Sequence, residues 1–256
     1  VGWRGVSDYT RVAGSPLDGG ELRAVHGNRQ LIRITGRAGR DHEIRHDAVR
    51  VQVSCTIETE IGSESGRRKQ RRIGGARLGP RAVRAVERVG PFEHVLRRMP
   101  VASLRVADVG DVPFRSRYSL ESCHEDLEAY YNLVLDAGVV PVSCGGDHSI
   151  TGSILKAIGR KEPVAMIHID AHCDTSGPYE GSKFHHGGPF RKAVLDGVLD
   201  PERVIQIGIR GGAEYLWEFS YESGMTVIHG EEIPKLGIEA IIKQARAVAG
   251  TGPVYV

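Results

Sequence analysis

The chain has 256 residues, 40% of them hydrophobic and 26% charged, which fits one large domain or two small ones of globular type. No apolar run approaches the ~18 residues needed to cross a membrane and no secretory signal pattern opens the chain, so no membrane partner is expected and the location is expected to be cytoplasmic. The net charge of +2 conceals an uneven distribution: residues 1–100 carry 20 Lys/Arg against 11 Asp/Glu, and residues 101–256 carry 14 against 21. The basic half has no aromatic interleaving and no nucleic-acid motif, so nucleic acid is not expected as a partner. Cys55, Cys123, Cys144 and Cys173 are far apart and form no CxxC, which suits free thiols in a reducing compartment better than disulfides or structural zinc.

Residues 1–75 are rich in Gly and Arg and only weakly periodic; one alternating strand is expected near 49–60, and 63–72 is a charged, loop-like run. From residue 76 onward strand and helix patterns alternate. "LGPRAVRAVERVG" predicts a helix entered at Pro80 and stopped at Gly90. A strand is expected over 103–111. Ser122 and Glu125 have capping-box spacing for a helix over 123–137. "VVPVSC" (139–144) predicts a short buried strand, "SITGSILKAIG" a helix and "VAMIHID" (164–170) a second buried strand. "RVIQIGI" and "MTVI" predict two more, residues 238–250 an amphipathic helix, and "PVYV" a final strand. Repeated β-α-β units with apolar strands imply a parallel sheet with helices on both faces. Ligands of such sheets sit beyond the carboxyl ends of the strands.

The chemistry-bearing residues gather at those ends. In "IHIDAHCDT", Asp170, His172 and Asp174 stand at i, i+2 and i+4, which in an extended chain puts all three on one face. Carboxylates with imidazole suit a borderline divalent cation such as Mn²⁺, Fe²⁺ or Zn²⁺. In "CGGDHSI", two glycines allow a sharp turn that holds His148 at a strand-to-helix junction. His185 and His186 precede a Gly-Gly-Pro turn, where a loop histidine could serve a substrate or a proton transfer. His168 is expected to be a satisfied structural histidine, and Asp147 to support a neighbour.

Taken together, "GGARLGPRAVR", "ADVGDV", "GGDHSITGSIL", "IHIDAHCDT", "FHHGGPFRKAV", "LDPERVIQIGIRG" and "GPVYV" resemble, in order and approximate spacing, the ureohydrolase (arginase/agmatinase) family. The resemblance covers residues 74–256 and is greatest to the agmatinase branch. It implies an arginase-type α/β fold, a three-layer α/β/α sandwich with a mainly parallel sheet. It implies two Mn²⁺ ions, one held by His148, Asp170 and Asp174, the other by His172 with Asp170 bridging. His186 matches the family's active-site loop histidine. The implied activity is hydrolysis of the guanidino group of agmatine to urea and putrescine, by a homo-oligomer, trimer or hexamer. The alternatives are a guanidinobutyrase or other guanidino-acid hydrolase, an inactive relative that only binds metal or a sister subunit, and a deacetylase-like metal hydrolase.

Two departures from the family pattern carry expectations of their own. The family's Ser-x-Asp-x-Asp-x-x-Asp-Pro motif would follow "GPVYV", where this sequence stops at Val256. A domain truncated before its last metal-binding motif is therefore expected, with the second metal site incomplete and little activity. Residues 1–73 form a divergent N-terminal segment, and the Arg/Gly excess over residues 22–73 suggests a frame error or cloning artefact.

Overall fold

The computed structural model describes residues 76–85, 94–95, 97, 106–116, 118–211 and 216–256, together with four strand segments nearer the N-terminus. The chain divides into two compact units, Val1–Glu58 with Arg67–Gly146, and Thr59–Gly66 with Asp147–Val256. The division falls between Gly146 and Asp147, and the divergent segment 1–73 contributes four strands to the first unit's sheet. The charged run 63–72, most of 22–73 and the expected helix stop at Gly90 lie outside the described residues.

In the first unit, β1 (Arg11–Val12), β2 (Arg23–His26), β3 (Gln30–Arg33), β4 (Arg50–Ser54), β5 (Val106–Asp111) and β6 (Val140–Cys144) form a sheet in the order β3-β2-β1-β5-β4-β6. β2 runs antiparallel to β1 and β3, while β1–β5, β5–β4 and β4–β6 are parallel. Helix α1 (Gly79–Ala85) opens with Pro80 buried in its first turn. Near its end Arg84 forks onto both oxygens of Asp108, at 2.7 and 2.8 Å, and reaches Asp111. That bidentate, charge-assisted geometry ties the helix to the end of β5.

Two expectations are corrected here. Helix α2 (Leu120–Asp136) starts three residues before the expected 123, because Ser119 and not Ser122 is its N-cap: the Ser119 hydroxyl accepts from the Ser122 amide. Glu125 is drawn instead to Arg115, which also holds the buried Asp126. Strand β6, expected to be buried, exposes Val140 and Val142, and among the described strands it pairs with β4 alone.

The second unit carries the four-stranded parallel sheet β10-β7-β8-β9, from β7 (Val164–Ile169), β8 (Leu199–Ile209), β9 (Thr226–His229) and β10 (Val254–Tyr255). Successive side chains of a strand point to opposite faces, and the core divides accordingly. Met166 and Val204 face one cluster with Leu155 of α3 (Ile150–Ile158) and Phe190 and Ala193 of α4 (Pro189–Leu195). Their neighbours Ile167 and Ile205 face the other, with Ile233 of α6 (Ile233–Leu236) and Ile241 and Ala245 of α7 (Ile238–Ala249). Helices thus cover both faces, the α/β/α layering expected. A short α5 (Glu218–Glu222) precedes β9. One mainly parallel sheet was expected; the described strands form two, with β6 and β10 each paired along one edge. Gly159, at the end of α3, must be glycine because a Cβ there would come within 2.3 Å of the Val198 carbonyl oxygen.

Candidate metal centre

Strand β7 ends at Ile169, so Asp170 to His172 lie in a bend and not in extended chain. Asp174 then takes φ +52°, the left-handed region, which Asp tolerates better than most residues. This backbone path, and not strand alternation, turns Asp170 and Asp174 toward one another. From the other side comes the turn into α3. Asp147 Oδ1 accepts from the Ser149 amide at 2.9 Å and fixes that turn, and His148 projects from it.

The result is a group of four: one ligand atom each from His148, His168, Asp170 and Asp174 lie within 4.8 Å of one another. Phe190 packs edge-on to both rings, at 5.5 Å from His148 and 4.5 Å from His168, and its amide donates to the Asp174 carbonyl. His148 Nδ1 meets the Thr151 hydroxyl at 3.1 Å. Its Nε2 lies 3.1 Å from Asp174 Oδ2, at an angle that makes no hydrogen bond. His168 Nε2 lies 3.7 Å from Asp170 Oδ2 and is likewise buried without a hydrogen bond. Asp170 Oδ1 accepts from the His172 amide at 2.9 Å.

The electrostatics follow from burial against charge. Burial opposes a positive His148, but Asp174, Asp170 and Asp147 together hold its pKa above the ordinary value. For His168 burial wins and pushes the pKa down to about 4, so the ring is neutral at pH 7. Burial would raise Asp170, yet the amides of His172 and Ala171 and the nearby histidines keep it below the usual carboxylate range.

A buried imidazole nitrogen without a hydrogen bond, His148 Nε2, facing the Asp174 carboxylate is what a divalent cation would satisfy. The donor set, nitrogen with carboxylate oxygen and no thiolate, suits a borderline cation. The residues fit such an ion.

His172 stands apart from the group. Its side chain is 62% exposed, with Nδ1 at 3.5 Å from Asp170 Oδ1. Gly211 makes room for it: a Cβ there would lie 2.6 Å from the ring. His186 is exposed, with Nδ1 at 3.7 Å from Oδ2 of the buried Asp147. His185 is buried and bonded through Nε2 to the Gly177 carbonyl, a structural role.

His168 was expected to be a satisfied structural histidine, and Phe190 and Gln206 carried no expectation, yet all three meet at this centre. His168 shares strand parity with Asp170, a signal that was present. Gln206 is a polar residue inside the apolar run of β8 and pairs directly with His168 in the β7–β8 register.

A model of the arginase family matches residues 61–256. The chain belongs to the arginase family. Among arginase-family proteins it is 45% identical over 186 residues to a guanidinopropionase of Pseudomonas aeruginosa, covering 71% of this chain and 58% of that protein. It is 41% identical to a mitochondrial agmatinase of Gallus gallus, over 71% of this chain and 54% of the relative. A guanidinobutyrase of Pseudomonas aeruginosa is 34% identical over 244 residues, 94% of this chain and 73% of that one, so similarity extends into the segment 1–73. The chain thus spans little more than half the length of the first two relatives. Of solved structures, proclavaminate amidino hydrolase from Streptomyces clavuligerus superposes with a TM-score of 0.67 at 26% identity, over 81% of this chain and 67% of that one. Formiminoglutamase from Trypanosoma cruzi with Mn²⁺ gives 0.64 at 25% identity, over 82% and 70%.

Proposed function

We propose that the chain is a Mn²⁺-dependent amidinohydrolase that releases urea and an amine from a small guanidino compound, and that agmatine, giving putrescine, is that compound. The observation that carries this reading is the convergence of His148, Asp170 and Asp174, with the buried His148 Nε2 left without a hydrogen bond. The names of the relatives support the guanidino group as the target.

A guanidinium is a weak electrophile because its charge is delocalised. A divalent cation, when bound, supplies Lewis-acid activation of water at neutral pH. This chain's residues do the rest. His148, Asp170 and Asp174 would hold one cation, and His172, beside Asp170, would contribute to a second site that these residues leave incomplete. Thr151 meets the His148 ring at Nδ1, and Nε2 is the nitrogen that faces the Asp174 carboxylate. The departing amine needs a proton, and His186 can hold one on Nε2 while its Nδ1 faces Asp147. We further propose a cytoplasmic homo-oligomer, trimer or hexamer.

A second reading is hydrolysis of a guanidino acid, favoured by the 45% identity to a guanidinopropionase. Urea release with added Mn²⁺ from agmatine, guanidinopropionate and guanidinobutyrate decides between them. Release from agmatine alone supports the first reading, and release only from the acids supports the second. Failure with every guanidino compound overturns both and leaves a protein that only binds metal.

A further inference from the structure

The two histidines of the centre look equivalent by distance, but their hydrogen-bond partners differ: an amide for His168 and a hydroxyl for His148. Gln206 is fully buried at the centre of β8. Its Nε2 lies 2.7 Å from the Cys173 carbonyl oxygen and 3.2 Å from His168 Nδ1. A carbonyl only accepts, so the amide nitrogen, not the oxygen, must face it. The second N–H of that amide then points at His168 Nδ1, which can receive it only if it carries no proton. A neutral imidazole with a bare Nδ1 carries its hydrogen on Nε2. That N–H faces Asp170 Oδ2 at 3.7 Å, a little beyond hydrogen-bond length. Among the described residues the buried Gln206 oxygen has no hydrogen-bond partner.

We propose that Gln206 locks His168 as the Nε2–H tautomer, and that His168 is a positioning residue, not a ligand of the cation, whose Nε2–H faces the Asp170 carboxylate. His148 has no such lock: its Nδ1 faces the Thr151 hydroxyl, which can donate or accept. The Asp170 carboxylate then accepts from the His172 amide at Oδ1 and presents Oδ2 to the Nε2–H of His168. Outer-sphere donors of this kind orient ligating carboxylates and tune affinity.

The cation-holding role rests on the function proposed above, but the tautomer does not, and the experiment separates them. Long-range ¹⁵N–¹H spectra of the full metal-free chain, with the His168 signals assigned by His168→Gln, report which nitrogen is protonated. The expected result is a bare Nδ1 and a protonated Nε2 on His168. Gln206→Glu, which offers an acceptor, should reverse the pattern. A bare Nε2 in the unsubstituted chain overturns the proposal, and so does a pattern that Gln206→Glu leaves unchanged. In Mn²⁺ titrations followed by electron paramagnetic resonance, His168→Gln keeps a donor at the same place and should stay within about threefold of the parent affinity. His168→Leu should lose about 10- to 100-fold. Equal losses in the two variants would make His168 a ligand and overturn the proposal. A parent chain that binds no Mn²⁺ would sink the proposed function, while the tautomer measurement would still decide the proposal.

Discussion

His148 Nε2 and Asp174 Oδ2 lie 3.1 Å apart, although one comes from the turn into α3 and the other from a left-handed residue beyond the end of β7. A buried imidazole nitrogen this close to a carboxylate oxygen and without a hydrogen bond is a site for a third partner. His148→Ala and Asp174→Ala should each lower Mn²⁺ affinity by more than the ~10- to 100-fold that outer-sphere changes cost. Equilibrium titration with Mn²⁺ measures this, and parent-like affinity in either variant would remove that residue from the ligand set.

His172 has its place beside Asp170 because Gly211 has no side chain. In Gly211→Ala the new methyl would lie 2.6 Å from the ring, so the ring must swing away. The ring is exposed and can move, so the melting temperature should change by no more than a few degrees. Mn²⁺ affinity should fall severalfold, as in His172→Ala. The double variant should be no worse than His172→Ala alone, because both changes act through one ring. Additive losses would mean that Gly211 acts elsewhere.

Phe190 joins the core to the centre: it is buried among Leu155, Met166 and Val204 and touches both histidines. Phe190→Ala should destabilise the fold by about 3–5 kcal/mol, the usual cost of deleting a buried aromatic ring. Phe190→Leu should cost less, since it refills much of the volume. Urea denaturation of the metal-free protein provides the measurement, and a loss under about 1 kcal/mol in the alanine variant would contradict the packing described.

The thiols should differ in reactivity. Cys123 and Cys173 are buried, and Cys144 is half-buried on the edge strand β6. Burial pushes the Cys173 thiol above its ordinary pKa, with only partial relief from Ser220. In native protein treated with iodoacetamide near pH 8, Cys144 should be alkylated before the other two. Peptide mass spectrometry reads the order, and early labelling of Cys173 would show that the segment after β7 opens.

Much of this molecule was legible before any coordinates. Strands β7 to β9 and helices α3 and α7 follow from apolar runs and helical periodicity, because burial of an apolar face is a local pattern that the chain writes residue by residue. The ligand types in "GGDHS" and "DAHCD" were legible for the same reason: few chemistries bring carboxylates and imidazoles together at the end of an apolar strand. The start of α2 was less so, since Ser119 and Ser122 are both acceptable caps and only the backbone conformation chooses between them.

What the residues could not settle was direction. Asp170, His172 and Asp174 suggested one face of a strand, but the chain bends at Asp170 and turns left-handed at Asp174, so the two carboxylates converge while His172 points outward. His168 was set aside as structural, yet its Nε2 faces Asp170, because β8 lies alongside and brings Gln206 against its other nitrogen. Composition and spacing decide which donors a site can draw on. Which atom of each donor faces the cation, and which nitrogen carries a hydrogen, depends on partners 38 residues away along the chain, and only tertiary packing brings those within reach.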